Sequence, residues 1–308
     1  MSVFVQQQHT VCDFSGSDSW VILSPIEQSI KHKIESVGTP LKDWDIQINY
    51  GIKTGYNDAF IISTAKRNEI LSHTADYVAG QAEKDYSSTG EYARTAALIR
   101  PILRGRDIKR YGYNWAELWL IATFPARHYD IEQYPAVKNY LLSEFGMERL
   151  EQTGKVHIVN GKQIKARKKT NNKWFETQDS ISYFDDFNQP KICWKAVGRN
   201  LAFAIVEAGI YLTAPACFIS AGIHNEYILA FLCSNIGKYF IYKNSDTTGA
   251  GDIMLNIQSL IRFPIPLPSA YLGQIHSAID KQDDAAINEI VYAIYNFTED
   301  EQKQIESI

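Results

Sequence analysis

What this sequence lacks most conspicuously is a catalytic signature. No N-P-P-[YF] or D-P-P-Y run is present to clamp the amine of an extruded base, and no glycine-rich strand-to-helix turn offers a seat for a nucleotide cofactor. H-E-x-x-H, G-x-S-x-G and the spaced acids with lysine of metal-dependent nucleases are missing too, so neither catalytic residues nor a metal site are expected. Cysteine is scarce: Cys12, Cys193, Cys217 and Cys233 form no C-x-x-C pair, which argues against zinc and against a disulfide framework and leaves buried thiols. No uncharged apolar run is long enough to span a membrane, and no basic start precedes an apolar stretch, so a cytoplasmic protein with no membrane partner is expected. A basic excess is absent as well, the formal net charge being −4, although an average can conceal a local patch.

What is present is organised around Gln47 to Ile62, Q-I-N-Y-G-I-K-T-G-Y-N-D-A-F-I-I, which reads as strand, tight loop, strand. Gly51 and Gly55 permit backbone angles that other residues resist, while Lys53, Thr54, Asn57 and Asp58 supply polar groups for gripping a ligand. An ordinary hairpin turn would show the same composition. A P-loop would not, because its lysine follows the second glycine and a helix comes next, whereas here Lys53-Thr54 precede Gly55 and β-prone residues follow.

Two further stretches carry the positive charge. Residues 98 to 111, L-I-R-P-I-L-R-G-R-D-I-K-R-Y, hold Arg100, Arg104, Arg106, Lys109 and Arg110 against the single acid Asp107. A turn at Gly105 would gather guanidiniums that recognise phosphate or carboxylate, unless Arg106 and Asp107 pair internally to fix the turn. From Gln152 to Phe175 there is no acid, yet Lys155, Lys162, Lys165, Arg167, Lys168, Lys169 and Lys173 all occur. Asn160-Gly161 marks a two-residue hairpin turn after Val156 to Val159, and Trp174 and Phe175 close the segment. Such a loop is either a solvated surface or a seat for a polyanion, with aromatics able to stack on bases.

Elsewhere, Ser24-Pro25 opens a helix with Ile26, Ile30 and Ile34 at helical spacing, after an apolar run from Trp20 to Leu23. Trp115 to Phe124 is a buried strand or a short helix, and Tyr134-Pro135 begins a helix over Val137, Tyr140, Leu141 and Phe145. Lys191 to Lys195 and Leu201 to Val206 read as paired strands, and Tyr211 to Ser220 as another, interrupted by Pro215. Glu226 to Tyr242 is apolar almost all round, as a buried helix would be. The alternation F-P-I-P-L-P over Phe263 to Pro268 excludes a central strand. Ser269 then opens a long helix, broken around Asp283, and Thr298 with Glu301 caps a last short one.

Together these pieces resemble the C-terminal specificity, or target-recognition, domain of type IIG restriction-modification enzymes and TaqI-like adenine-specific DNA methyltransferases. The resemblance rests on G-I-K-T-G-Y-N-D-A-F (51 to 60), I-R-P-I-L-R-G-R-D-I-K-R-Y (99 to 111), Y-P-A-V-K-N-Y-L (134 to 141), K-W-F-E (173 to 176), Y-F-D-D-F-N-Q-P-K-I (183 to 192) and F-P-I-P (263 to 266), in that order. It implies an α+β fold: a β-rich recognition lobe over residues 1–220, then a C-terminal helical hairpin over 221–308. It also implies double-stranded DNA as partner, and a methyltransferase and nuclease in cis or as a separate subunit. Those missing domains, not this chain, would use S-adenosylmethionine and magnesium to methylate adenine N6 and to cleave.

The DNA-binding residues expected on this basis are Lys53, Thr54, Asn57, Arg104, Arg106, Lys109, Arg110, Lys165, Lys169, Lys173 and Trp174. Arg167, Lys168, Asn171 and Asn172 are the candidates for base edges, since Arg suits guanine and Asn suits adenine. Two other readings stay open: a protein-interaction module that docks a methyltransferase, and, less favoured, a nuclease built on Asp185, Asp186 and Lys191.

Overall fold

A computed structural model describes residues 23–308 apart from Tyr86, Asn200 and Ser269. Cys12, the 20–22 part of the first apolar run and the helix start expected at Ser269 lie outside it. The chain divides into two units: residues 47–196 with 202–222, and residues 23–46 with 197–201 and 223–308.

The strands that shape the first unit are β1 (Gln47–Tyr50), β2 (Ile61–Ser63), β3 (Ile99–Leu103), β4 (Leu118–Ile121), β5 (Val156–Val159), β6 (Lys162–Lys165), β7 (Lys191–Lys195), β8 (Phe203–Val206), β9 (Tyr211–Leu212) and β10 (Ala216–Ser220). One antiparallel sheet has the order β8-β7-β10-β1, and a second has the order β9-β3-β4-β2, in which only β9 runs parallel to its neighbour. The pairing expected of Lys191 to Lys195 with the strand ending at Val206 is observed, Ile192 facing Ile205 on one side and Ile219 on the other. As a central strand buried on both faces, β7 is apolar through its middle instead of alternating. Phe187 is fully buried, with ring centroids 4.8 Å from Phe218 of the first sheet and 4.5 Å from Tyr211 of the second, and so joins the two into one core.

Lys191 is also fully buried, its ammonium donating to the carbonyls of Phe187, Gln189 and Glu207 at 2.9–3.1 Å. Burial pushes that ammonium down to about 8, and the three carbonyls compensate the charge. A lysine so enclosed cannot reach a scissile phosphate, which removes the nuclease reading built on it.

Two of the connections between these sheets lie side by side. The first is the central loop: β1 belongs to one sheet and β2 to the other, so the stretch is no hairpin. The second is residues 213–215, between β9 and β10. Gly51 N donates to Ala216 O and Ile52 N to Leu212 O, both at 2.7 Å, and Ala214 N donates back to Ile52 O at 3.0 Å. A Cβ on Gly51 would sit 2.5 Å from the Thr213 carbonyl carbon, so only glycine permits the approach. Asn57–Phe60 forms a helical turn where a strand was expected, because the Thr54 hydroxyl accepts from Tyr56 N and donates to Asn57 Oδ1, curling the chain before β2.

In the second unit, Ser24 caps the helix Pro25–Val37 through a capping box with Glu27, and Ile30 and Ile34 are buried as their spacing predicts. Ser29 and Lys33 of this helix bond Glu301, which lies in the first turn of the last helix with Thr298 as its cap. Residues 23–46 and 197–201 therefore group with the C-terminal helices, not with the strand-rich lobe as a single border at residue 220 would have it. The helical part is also more divided than two long helices. Glu226 to Tyr242 splits at Ser234, whose hydroxyl accepts from Gly237 N and restarts the chain as Asn235–Asn244. The next pair, Leu272–Asp280 and Asp284–Tyr295, breaks at Asp283 as expected, after Gln282 at φ 52°. Among the described residues, Pro264–Ile265 pairs with Thr39–Pro40 alone, which suits its prolines. The fold class is α+β.

Gly51→Ala is expected to lower stability by about 1–3 kcal/mol, the range for forcing atoms into a filled space. Gly112→Ala, where the added carbon meets nothing within 4 Å, serves as the neutral control in thermal melts.

Candidate nucleic-acid interface

One end of the first sheet gathers the outward-facing cations of the central loop and of the arginine stretch. Tyr50 of β1 pairs with Cys217 of β10, Cys217 with Trp194 of β7, and Trp194 with Phe203 of β8, whose carbonyl accepts from Tyr111 N. These residues form a single row, so the central loop leaving Tyr50 and the 108–113 hairpin around Tyr111 flank the same rim, four strand spacings or about 19 Å apart. Lys53 is exposed at one side of the rim, and Arg106, Lys109 and Arg110 at the other. Between them stands exposed Lys195, the residue after Trp194, which the strand-like pattern K-I-C-W-K concealed.

The arginine stretch divides by role. Arg104, expected to meet DNA, instead forks Asp107, with Nε and Nη2 at 2.9 and 2.8 Å from its two oxygens, and Asp107 accepts the Arg104 backbone N–H as well. The internal pair is thus Arg104–Asp107 and not Arg106–Asp107. Arg106 is freed to point outward. Burial pushes the Asp107 carboxyl up, but the bonds from Arg104 outweigh it and hold the group below the usual aspartate range. Lys109 Nζ donates to Arg106 O at 3.0 Å, and the Arg110 guanidinium lies 4.8 Å from the Tyr111 ring.

The chain that follows the acid-free segment is anchored to the central loop. Gln178 N donates to Thr54 O, Asp179 N to Lys53 O, and Lys53 N to the Asp179 carboxylate. Gly55 has φ +77°, and a Cβ there would come within 2.9 Å of Gln178 Cβ. Beside this seam lies an open groove of about 460 Å³ lined by Tyr50, Lys53, Thr170, Asn172, Gln178 and Asp179, among others. Thr54 itself is buried beneath it, turned inward to bond Asn57, so neither Thr54 nor the Asn57 oxygen it holds is presented as expected.

Within the segment several residues expected to meet DNA prove internal. Arg167 is only 5% exposed, donates to Glu176 O and sits 5.0 Å over the Phe60 ring, and burial pushes its guanidinium down to about 10. It cannot read a base edge. Asn172 spends its amide on the carbonyls of Thr177 and Gln178. Phe175 is buried and Trp174 half-buried edge-on against it, so neither offers an open stacking face. Lys155, Lys162, Lys165, Lys168, Lys169 and Asn171 remain exposed, as does Lys173, 5.5 Å over the Phe175 ring. Of the bordering acids, Glu151 feels the charge of Lys155 but makes its bonds elsewhere. Glu151 bonds Thr153 and His157, and Glu176 is buried against Lys173 N. Among the described residues, none of Lys155, Lys162, Lys165, Lys168 and Lys169 forms an ion pair.

The β5–β6 hairpin turns at Asn160 (φ 50°) and Gly161 (φ 75°), the two positive φ angles of the expected turn type. Among the described residues there is no helix long and apolar enough to cross a membrane and no cluster of three or more His, Cys, Asp or Glu that could hold a metal ion.

The strand-rich unit with its charged rim is thus an α+β lobe, and comparison with a solved structure agrees on the fold. The type IIG restriction endonuclease BpuSI superposes on 92% of this chain with a TM-score of 0.52 at 12% identity. The type IIL restriction-modification enzyme MmeI gives 0.48 over 88% at 9% identity. The chain spans 31% and 37% of the length of these two proteins. No curated protein matches by sequence. The family model of the TaqI-like C-terminal specificity domain matches residues 100–265, more than half of the 308, and the chain belongs to that family.

Arg104→Ala is expected to destabilise the protein by about 1–3 kcal/mol, because it removes both guanidinium bonds and the counter-charge from a buried carboxylate. The parent's advantage should be complete above the unfolded aspartate pKa of about 3.9 and vanish as pH falls through the lower folded value. Paired melts at pH 7 and pH 2.5 measure both.

Proposed function

We propose that this chain selects the DNA sequence at which a restriction-modification enzyme acts. Adenine-N6 methylation with S-adenosylmethionine and magnesium-dependent cleavage would be the work of domains outside this sequence, joined in cis or docked as a subunit in the cytoplasm. The observation that carries the reading is the set of exposed lysines from Lys155 to Lys169, which form no ion pair among the described residues, on a chain whose overall charge is negative. Uncompensated like charges repel one another, and a phosphate backbone relieves that repulsion while releasing its own counterions. Membership of a specificity-domain family supports the same reading.

In this reading the two parts of the surface do different work. The row from Tyr50 to Tyr111, beside which Lys53, Lys195, Arg106, Lys109 and Arg110 lie, spans about 19 Å, wider than the major groove of about 12 Å, so Lys53 and the arginine stretch suit phosphates on opposite sides of a groove. Interactions of that kind fix register and orientation and carry no sequence information. Readout falls to side chains that enter the groove between them. The chain's own residues bind and orient the duplex, and no step of this recognition passes through a metal or a cofactor.

Replacing Lys155, Lys162, Lys168 and Lys169 together by Ala should weaken binding to all duplexes alike. It should also flatten the slope of log affinity against log salt by about 0.9 for each phosphate that the variant no longer neutralises. An unchanged slope in fluorescence-anisotropy titrations would return the loop to solvent. A second test addresses the division of labour. The purified chain should show no saturable S-adenosylmethionine binding by calorimetry, and when specificity domains are exchanged between catalytic partners the methylated site should follow this chain. Methyl transfer by the chain alone would contradict it.

A further inference from the structure

The β5–β6 hairpin has its apolar residues on the wrong face for a structural ribbon. Val156 and Ile158 are 57% and 75% exposed, whereas their strand neighbours His157 and Val159 are half-buried. Register places Lys165 opposite Val156 and Gln163 opposite Ile158. Because side chains alternate across a strand, Val156, Ile158, Gln163 and Lys165 share one outward face, and all four are exposed. Folding alone gives no reason for this arrangement: burying aliphatic side chains is a main source of stability, and here two are left in water.

Resting on the reading of the chain as a DNA-sequence selector, we propose that this face of the hairpin enters the major groove and reads bases, with Ile158 and Gln163 at its centre. The major groove admits a two-stranded ribbon, and its edges offer partners for each of these residue types. The thymine methyl is the apolar group an exposed Ile or Val can cover. Gln can pair two bonds with adenine N6 and N7, and Lys can donate to guanine O6 and N7. The charge around the ribbon selects a polyanion over an apolar protein surface as the occupant. Lys155, Lys162, Lys168 and Lys169 lie on and beside it and form no ion pair among the described residues, and Glu151, the acid bonded to it, is tied to His157. The turn at Asn160-Gly161, with both φ angles positive, keeps the ribbon to two residues at its tip, narrow enough to lead. Readout therefore shifts from Arg167, which is buried, and Asn172, whose amide is spent on two backbone carbonyls, to an exposed Gln and Ile on the hairpin.

The test uses the full 308-residue chain and selection of bound duplexes from a random pool, with Gln163→Ala, Ile158→Ala and the double variant beside the parent. All three variants change exposed positions only, so melting temperatures should match the parent. The parent should enrich a defined sequence. Each variant should lose preference at one or two positions of that sequence, with affinity for the selected duplex falling about 10- to 100-fold. Affinity for scrambled duplex should be unchanged. Enrichment of the parental sequence at parental strength by the double variant would overturn the assignment, and so would an equal loss on every duplex, which would make the face a general backbone contact or a protein-docking patch. A parent that binds duplex yet enriches nothing would instead sink the broader reading as a sequence selector, and the ribbon assignment with it.

Discussion

The structure depends on a crossing of two chain segments at Gly51–Ile52 and Leu212–Ala216. Each carries the chain from one sheet of the strand-rich unit to the other, and each satisfies the other's backbone groups through short N–H···O bonds. Unpaired, those groups would be costly in an interior where Ile52 and Leu212 are almost wholly buried. The absence of a side chain at Gly51 lets the two backbones meet, and everything downstream on the central loop inherits its position from that meeting. Lys53 projects from the rim because Ile52 is pinned inward, and the acid-free segment is placed because the following Gln178 and Asp179 dock on the same loop.

From this frame follows a separation of duties among like residues. Seven cations in the acid-free segment look equivalent in composition, but the fold spends one of them, Arg167, on Glu176 and Phe60, and lays Lys173 along Phe175. The same happens at Arg104, which holds the turn that presents Arg106 and Lys109. Internally bonded arginines and the exposed cations beside them are physically coupled: the former stiffen the segment, and the latter can then act at fixed positions with less ordering cost on binding a ligand.

Much of the architecture was legible in residue patterns because the signals were local. The capping boxes at Ser24 and Thr298, the Asn160-Gly161 turn, the break at Asp283 and the pairing of the strand at Lys191 with that ending at Val206 all follow from short-range chemistry. So does the family resemblance, which depends on the order of short motifs along the chain. Two expectations failed for one reason. The single helix over Glu226 to Tyr242 and a border at residue 220 each assumed that sequence neighbours stay together, as does the ordinary hairpin alternative for the central loop, whereas long-range packing sent β1 and β2 to different sheets and Pro25–Val37 to the C-terminal helices.

The sequence by itself determined that the chain is an α+β recognition domain with hidden positive patches, since composition, turn residues and motif order are properties of the chain alone. Only the tertiary structure decided which charges face outward, that Lys195 joins Lys53 and Arg106 on one rim, and that Val156 and Ile158 lie exposed. Burial is set by what the rest of the chain packs against a residue, and an arginine or an isoleucine carries no mark in sequence of whether its neighbours will cover it.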